Sequence, residues 1–136
     1  INFSYRYSSF PNNEILLKAI FKCSKGDPDT ISKNKKAASI KRRTTQPLKY
    51  RSAGSIFKNP SKNSSAGYLI DKSGLKGLGI GNAEISEKHA NFIINKGNAT
   101  AKDVIQLIDI AKAEVFKKFN IKLALEIKLL GFCNAK

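Results

Sequence analysis

The chain contains no methionine and no tryptophan, a single histidine, two cysteines and only ten acidic residues among 136. Each shortage excludes something. One histidine, His89, rules out any centre built on several imidazole ligands. Cys23 and Cys133 stand far apart and match no metal-binding spacing, so free cytosolic thiols are the simplest reading and no metal site is expected. No run of about 18 apolar residues occurs, so nothing reads as a membrane span, and no secretory leader pattern is present. The missing methionine, with an opening that is already strand-like (INFSYRYSSF), leads us to expect a processed protein or a piece of a larger one.

Basic charge is abundant. Twenty-five Lys and Arg face ten Asp and Glu, a formal net charge of +15. Such a balance raises nucleic acid as a partner. The distribution argues against it. Twenty-one of the basic residues are Lys, spread along the chain, and Arg occurs only at Arg6, Arg42, Arg43 and Arg51. Arg is the usual reader of bases; dispersed Lys is more often a solvated surface. A small anion such as a diphosphate would suit the same charge.

The length is enough for one domain with a real core. Ile15, Leu17, Ala19 and Phe21 alternate with polar residues and predict a strand over 14–23. SKGDPD is a turn, after which Thr30 caps a basic helix to about Arg43. TTQPLKYRS reads as extended, because Pro47 disfavours helix at Gln46. The strand SAGSIFKNP follows, over 52–60. Ser64 or Ser65 then caps a short helix, AGYLIDKSG, that Gly74 ends. The glycines of LKGLGIGNAEIS have the wrong spacing for a dinucleotide fingerprint and predict turns around a short strand. NFIIN is a strand over 91–95. Val104, Leu107, Ile108, Ala111, Val115 and Phe119 recur at helical spacing over 101–119, behind a capping-box pair, Thr100 and Asp103, and before a C′ residue, Asn120. Ile121 to Leu130 alternates as a last strand, with Glu126 on its wetter face; taken alone, Glu126 reads as a solvated partner of Lys128. The sum is an α+β fold: a small antiparallel sheet with helices packed on one face.

One segment points to chemistry. In SAGSIFKNP a hydroxyl, Ser55, follows Gly54, which lacks a Cβ and so permits close approach to the backbone. Asn59 offers a donor and an acceptor beside Lys58. Taken alone, the run is a strand entering a turn.

Its company makes it specific. SYRYS, QPLKYRSAGSIFKNP, AGYLIDKSGLKG, SEKHANFIIN with GNAT, and LEIKLLG occur in this order. Together they resemble the C-terminal half of the UDP-N-acetylenolpyruvoylglucosamine reductase (MurB) family. The resemblance implies that residues 1–24 are the tail of a flavin-binding domain and 25–136 a C-terminal substrate-binding domain. The N-terminal flavin-binding region would be absent, so the chain alone would be inactive. It implies a bacterial, cytoplasmic enzyme of peptidoglycan synthesis in which NADPH reduces FAD, and the flavin reduces UDP-N-acetylglucosamine enolpyruvate to UDP-N-acetylmuramate. No cofactor is expected on this portion by itself.

The same resemblance implies roles. Ser55 matches the proton donor, Arg6 the arginine that holds the developing enolate, and Glu126 a proton-shuttling or orienting partner. Tyr5 and Asn59 match substrate contacts, and Arg42 a position that holds the nucleotide diphosphate. Lys88 and His89 would line the same pocket; for His89 a plain structural role is equally open. Two other readings stand beside this one: a stand-alone basic module for nucleic acid or another polyanion, and a structural domain with no ligand.

Overall fold

The computed structural model of the chain describes residues 1–11 and 13–131. Cys133 lies outside the described residues, and Cys23 is an exposed free thiol. The chain divides into two compact units, Ile1–Ser39 and Ile40–Lys136.

In the first unit, β1 (Phe3–Ser4) and β2 (Tyr7–Ser8) form a small antiparallel hairpin, Phe3 opposite Ser8 and Ser4 opposite Tyr7. The strand expected over 14–23 is not formed. Residues 14–27 carry no regular secondary structure, and Ile15, Leu17, Ile20 and Phe21 are exposed. Period-two alternation states which face could be buried; it does not supply the neighbouring strand whose backbone groups a ladder needs. The basic helix α1 runs Pro28–Thr45, its residues from Ile40 on being counted with the second unit, and buries no residue. It begins two residues before the expected cap Thr30, because Asp27 does the capping: its carboxylate accepts from the Thr30 N–H at 2.8 Å and from the Thr30 hydroxyl at 2.6 Å. Pro28 then occupies the first helical position, where its missing N–H costs nothing. The helix also runs past Arg43 to Thr45 and stops at Gln46, the residue that Pro47 restricts.

The second unit is a four-stranded antiparallel sheet with helices against it. Its strands are β3 (Arg51–Ser55), β4 (Gly79–Ile80), β5 (Ala83–Ile85) and β6 (Phe92–Asn95), in the order β3-β6-β5-β4. Where one short strand was expected in LKGLGIGNAEIS, the glycines open two, joined by a turn at Gly81 (φ 54°). A Cβ on Gly81 would come within 2.7 Å of the Asp103 carboxylate.

Helix α2 (Ala66–Lys72) packs on α3 (Ala101–Phe119), and α3 lies along β4 and β5. Ser65 caps α2, its hydroxyl accepting from the Tyr68 N–H. Thr100 and Asp103 cap α3 reciprocally: Thr100 Oγ1 accepts from the Asp103 N–H at 3.2 Å, and the Asp103 carboxylate from the Thr100 N–H at 2.8 Å. Asn120, left-handed at φ 54°, ends α3. The apolar stripe of α3 is the centre of the core: Leu107, Ile108, Ala111 and Val115 are buried against Ile56, Ile70, Ile85 and Ile93.

The last predicted strand is mostly absent. Residues 121–130 form one bridge, Leu125 opposite Phe57, because the partner segment runs only as far as Lys58 before Pro60. The alternation still sets burial: Leu123 is buried, Ile121, Leu125 and Ile127 pack on the core, and Lys122 and Lys128 are exposed. Among the described residues no helix is long and apolar enough to cross a membrane.

Candidate active site

The segment 52–60 lies between two neighbours. On one side β3 pairs with β6, Arg51 opposite Asn95 and Ser52 opposite Ile94; the register then shifts before Ser55 meets Phe92. The shift is a bulge with Gly54 in it, at φ 84°. That conformation is strained for any residue with a Cβ, although there is open space around Gly54. After the bulge two consecutive side chains, Ile56 and Phe57, are both buried.

Beyond Ser55 the ladder with β6 is replaced by a single residue, Asn91. The Ile56 N–H donates to the Asn91 carbonyl at 2.9 Å. The Phe57 N–H donates to Asn91 Oδ1 at 2.9 Å, and Asn91 Nδ2 donates to the Phe57 carbonyl at 2.8 Å. On the other side the Glu126 N–H donates to the Ile56 carbonyl at 2.8 Å, and the Lys58 N–H to the Ala124 carbonyl at 2.9 Å. Five backbone groups of Ile56–Lys58 are therefore satisfied by fixed partners.

These bonds bring Ser55 and Glu126 onto adjacent, hydrogen-bonded stretches of chain. Ser55 is half-buried, as is Glu126, whose Oε2 is out of solvent contact. Asn59 is exposed, and its Oδ1 accepts from the Ala66 N–H at 3.1 Å, tying the end of the segment to the start of α2. Arg42 donates from Nε to Gln46 Oε1 at 3.1 Å. It lines an open groove of about 450 Å³ with Tyr50, Arg51, Gly54 and Phe92. Lys88 donates from Nζ to the Arg43 carbonyl. Tyr5 and Arg6 belong to the first unit, in the β1–β2 turn. Arg6 has φ 57°, and its guanidinium lies 5.8 Å from the centre of the Tyr5 ring.

His89 is half-buried, its ring 4.9 Å from that of Phe92, and its Nδ1 accepts from the Asn91 N–H at 3.2 Å. Burial holds the imidazole below its ordinary value, and the charge of Lys76 acts the same way, against an opposing bond to its own backbone. An unprotonated Nδ1 is what the Asn91 N–H requires. Elsewhere, the Glu84 carboxylate bonds Lys96 and raises the Lys96 ammonium above its usual value. Among the described residues no cluster of His, Cys, Asp and Glu could hold a metal.

Sequence reasoning missed Asn91, the residue that organises this region. The signal was an asparagine next to the apolar run FII in an expected strand; the structure buries it to 4% exposure, and a buried amide has to be bonded.

The second unit is thus an α+β domain whose polar groups gather around one clamped strand. Residues 46–130 match the family described as UDP-N-acetylenolpyruvoylglucosamine reductase, C-terminal domain. The chain belongs to that family. It is 46% identical over 131 residues to the UDP-N-acetylenolpyruvoylglucosamine reductase of Rickettsia canadensis, covering 96% of this chain and 44% of that protein. The same enzyme of Clostridium tetani is 46% identical over 132 residues, covering 96% and 43%. A crystal structure of UDP-N-acetylenolpyruvylglucosamine reductase (MurB) from Thermus caldophilus superposes with a TM-score of 0.62 at 43% identity, covering 76% of this chain and 36% of that one. The chain therefore spans under half the length of these relatives.

Proposed function

We propose that this chain is the substrate-handling, C-terminal portion of a bacterial, cytoplasmic flavoenzyme of peptidoglycan synthesis. The reaction is reduction of UDP-N-acetylglucosamine enolpyruvate to UDP-N-acetylmuramate, with FAD as the bound redox group and NADPH as reductant. In this reading residues 1–24 end a flavin-binding domain and 25–136 form the substrate-binding domain. The observation that carries it is the pairing of Glu126 with Ile56, which sets a carboxylate-bearing residue beside Ser55 in a chain of this family.

The glycines between Gly74 and Gly81 fold into turns around β4 and β5, and no helix opens directly after them. This glycine run therefore does not build a dinucleotide cradle, and we assign FAD and NADPH chiefly to the remainder of the reductase, which would supply the hydride. This chain's residues handle the proton and the charge. Reducing an alkene conjugated to a carboxylate builds negative charge towards that carboxylate, so a cation and a placed acid are needed. Arg6 takes the first role, its planar fork suiting a carboxylate. Ser55 takes the second; a hydroxyl suffices because the carbanion it meets is far more basic. Glu126 orients that hydroxyl or returns its proton. Tyr5, Asn59, Lys88 and His89 contact the substrate, and Arg42 holds the diphosphate at the groove it lines.

Isothermal titration of the chain with UDP-N-acetylglucosamine tests the reading, alongside a short DNA duplex at low and moderate salt. Saturable binding of the nucleotide sugar, weakened in Arg42→Ala, is expected. Salt-sensitive DNA binding with no nucleotide-sugar binding would favour a polyanion-binding module instead.

A further inference from the structure

We propose that Asn91 is a positioning residue whose side-chain amide substitutes for a strand and fixes the backbone that carries Ser55 at one end and Asn59 at the other. The inference rests on the proposed function for the roles of those two residues, but its geometry does not.

Strand β6 begins at Phe92, and its pairing with β3 ends where Ser55 meets Phe92. Continuing a ladder past that point would need a further residue's N–H and C=O opposite Phe57. The Asn91 carboxamide has the same donor and acceptor pair, and it bonds both groups of Phe57 at 2.9 and 2.8 Å. Asn91 and Phe57 are both buried, so neither group of Phe57 has water as an alternative. The chain is thereby released from strict pairing just where a bulge has turned it, yet is held at one position. Ser55 precedes the clamp by two residues and Asn59 follows it by two. The Asn91 N–H is itself anchored on His89 Nδ1, and the opposite edge of the segment on Ala124 and Glu126. A side-chain clamp of this kind acts on the site without touching substrate.

Two variants separate its parts. Asn91→Ala removes both bonds. Asn91→Asp is nearly isosteric; its carboxylate can accept from the Phe57 N–H but cannot donate to the Phe57 carbonyl. The first arm is nuclear magnetic resonance on this chain. In the wild type, a scalar coupling across the bond from Asn91 Nδ2 to the Phe57 carbonyl is expected, and its absence would overturn the proposal. In Asn91→Ala the Phe57 amide should exchange faster and the Ser55 and Asn59 resonances should move, while the amides of Leu107 and Val115 in α3 stay protected. If that variant fails to fold, Asn91→Asp decides: an unchanged Phe57 carbonyl shift would overturn the clamp. The second arm uses the flavin-loaded reductase. Bleaching of the flavin by NADPH should be unchanged in Asn91→Asp. Reoxidation by UDP-N-acetylglucosamine enolpyruvate should slow by about a hundredfold, the cost of misplacing a reacting group by about an ångström, with a larger solvent deuterium isotope effect. Wild-type reoxidation in that variant would overturn the positioning role. A wild-type reductase that the substrate does not reoxidise would defeat the proposed function instead, and the resonance arm would still decide the clamp.

Discussion

The backbone N–H of Glu126 donates to the carbonyl of Ile56 at 2.8 Å, one residue from Ser55. A carboxylate-bearing and a hydroxyl-bearing residue separated by about 70 positions in the sequence are thereby carried on neighbouring, hydrogen-bonded stretches of chain. The link uses the main chain of Glu126, so a change of its side chain leaves the link in place.

This separation of roles gives the first prediction. Glu126→Gln keeps the main-chain bond, so the variant should unfold cooperatively with the wild-type far-ultraviolet spectrum. In the flavin-loaded reductase its substrate reduction should fall by about 100- to 10,000-fold, the range for a lost proton-transfer group. Stopped-flow reoxidation of the flavin checks it; a wild-type rate would remove Glu126 from the site.

The core is unevenly distributed, and stability should follow it. Leu107 is wholly buried in the stripe of α3, whereas Ile31 is 56% exposed on α1. Leu107→Ala should cost about 2–5 kcal/mol, through lost transfer energy and a residual cavity. Ile31→Ala should stay within about 0.5 kcal/mol. Urea titration of the two variants measures the contrast.

The reciprocal cap at Thr100 and Asp103 satisfies two main-chain N–H groups at the start of the helix that carries the core. Thr100→Ala should destabilise the chain by about 1 kcal/mol. The same titration reads it, and hydrogen exchange should quicken first in the opening turn of α3.

Stability should also depend on pH through His89. Its folded value lies below the ordinary 6.5, chiefly because it is buried. Across the window between the two values the unfolded chain binds more protons than the folded chain, so stability rises with pH there. The contribution is fully present above 6.5 and is lost as pH falls through the window. Protonation would also put a proton on Nδ1, where the Asn91 N–H now donates. Urea midpoints followed downwards from neutral pH should fall in the wild type, and fall less in His89→Gln.

Much of this architecture is legible in the sequence, and for physical reasons. The helix Ala101–Phe119 announces itself three times: in the spacing of Leu107, Ile108, Ala111 and Val115, in its capping pair, and in Asn120 at its end. Ser65 and the strand around Phe92–Asn95 are legible in the same way. What local pattern cannot supply is a partner. Among the described residues, Ile15, Leu17 and Phe21 alternate like a strand and pair with no strand, and Leu123 to Ile127 alternate but bridge the sheet only at Leu125. The Asn91 clamp has no period at all, since one side chain does the work of a strand; only the oddity of an asparagine beside FII hints at it. At the site, the sequence pattern puts Ser55 and Glu126 on extended segments, whereas their association, like the roles of Arg6, Tyr5 and Arg42, comes from resemblance.

The central claim is that Ser55 supplies the proton in a reaction whose hydride comes from elsewhere in the reductase. The most direct measurement compares the two half-reactions in the flavin-loaded reductase carrying Ser55→Ala. Wild-type bleaching of the flavin by NADPH and abolished reoxidation by UDP-N-acetylglucosamine enolpyruvate are expected. An equal fall in both half-reactions, or reoxidation at the wild-type rate, would contradict it.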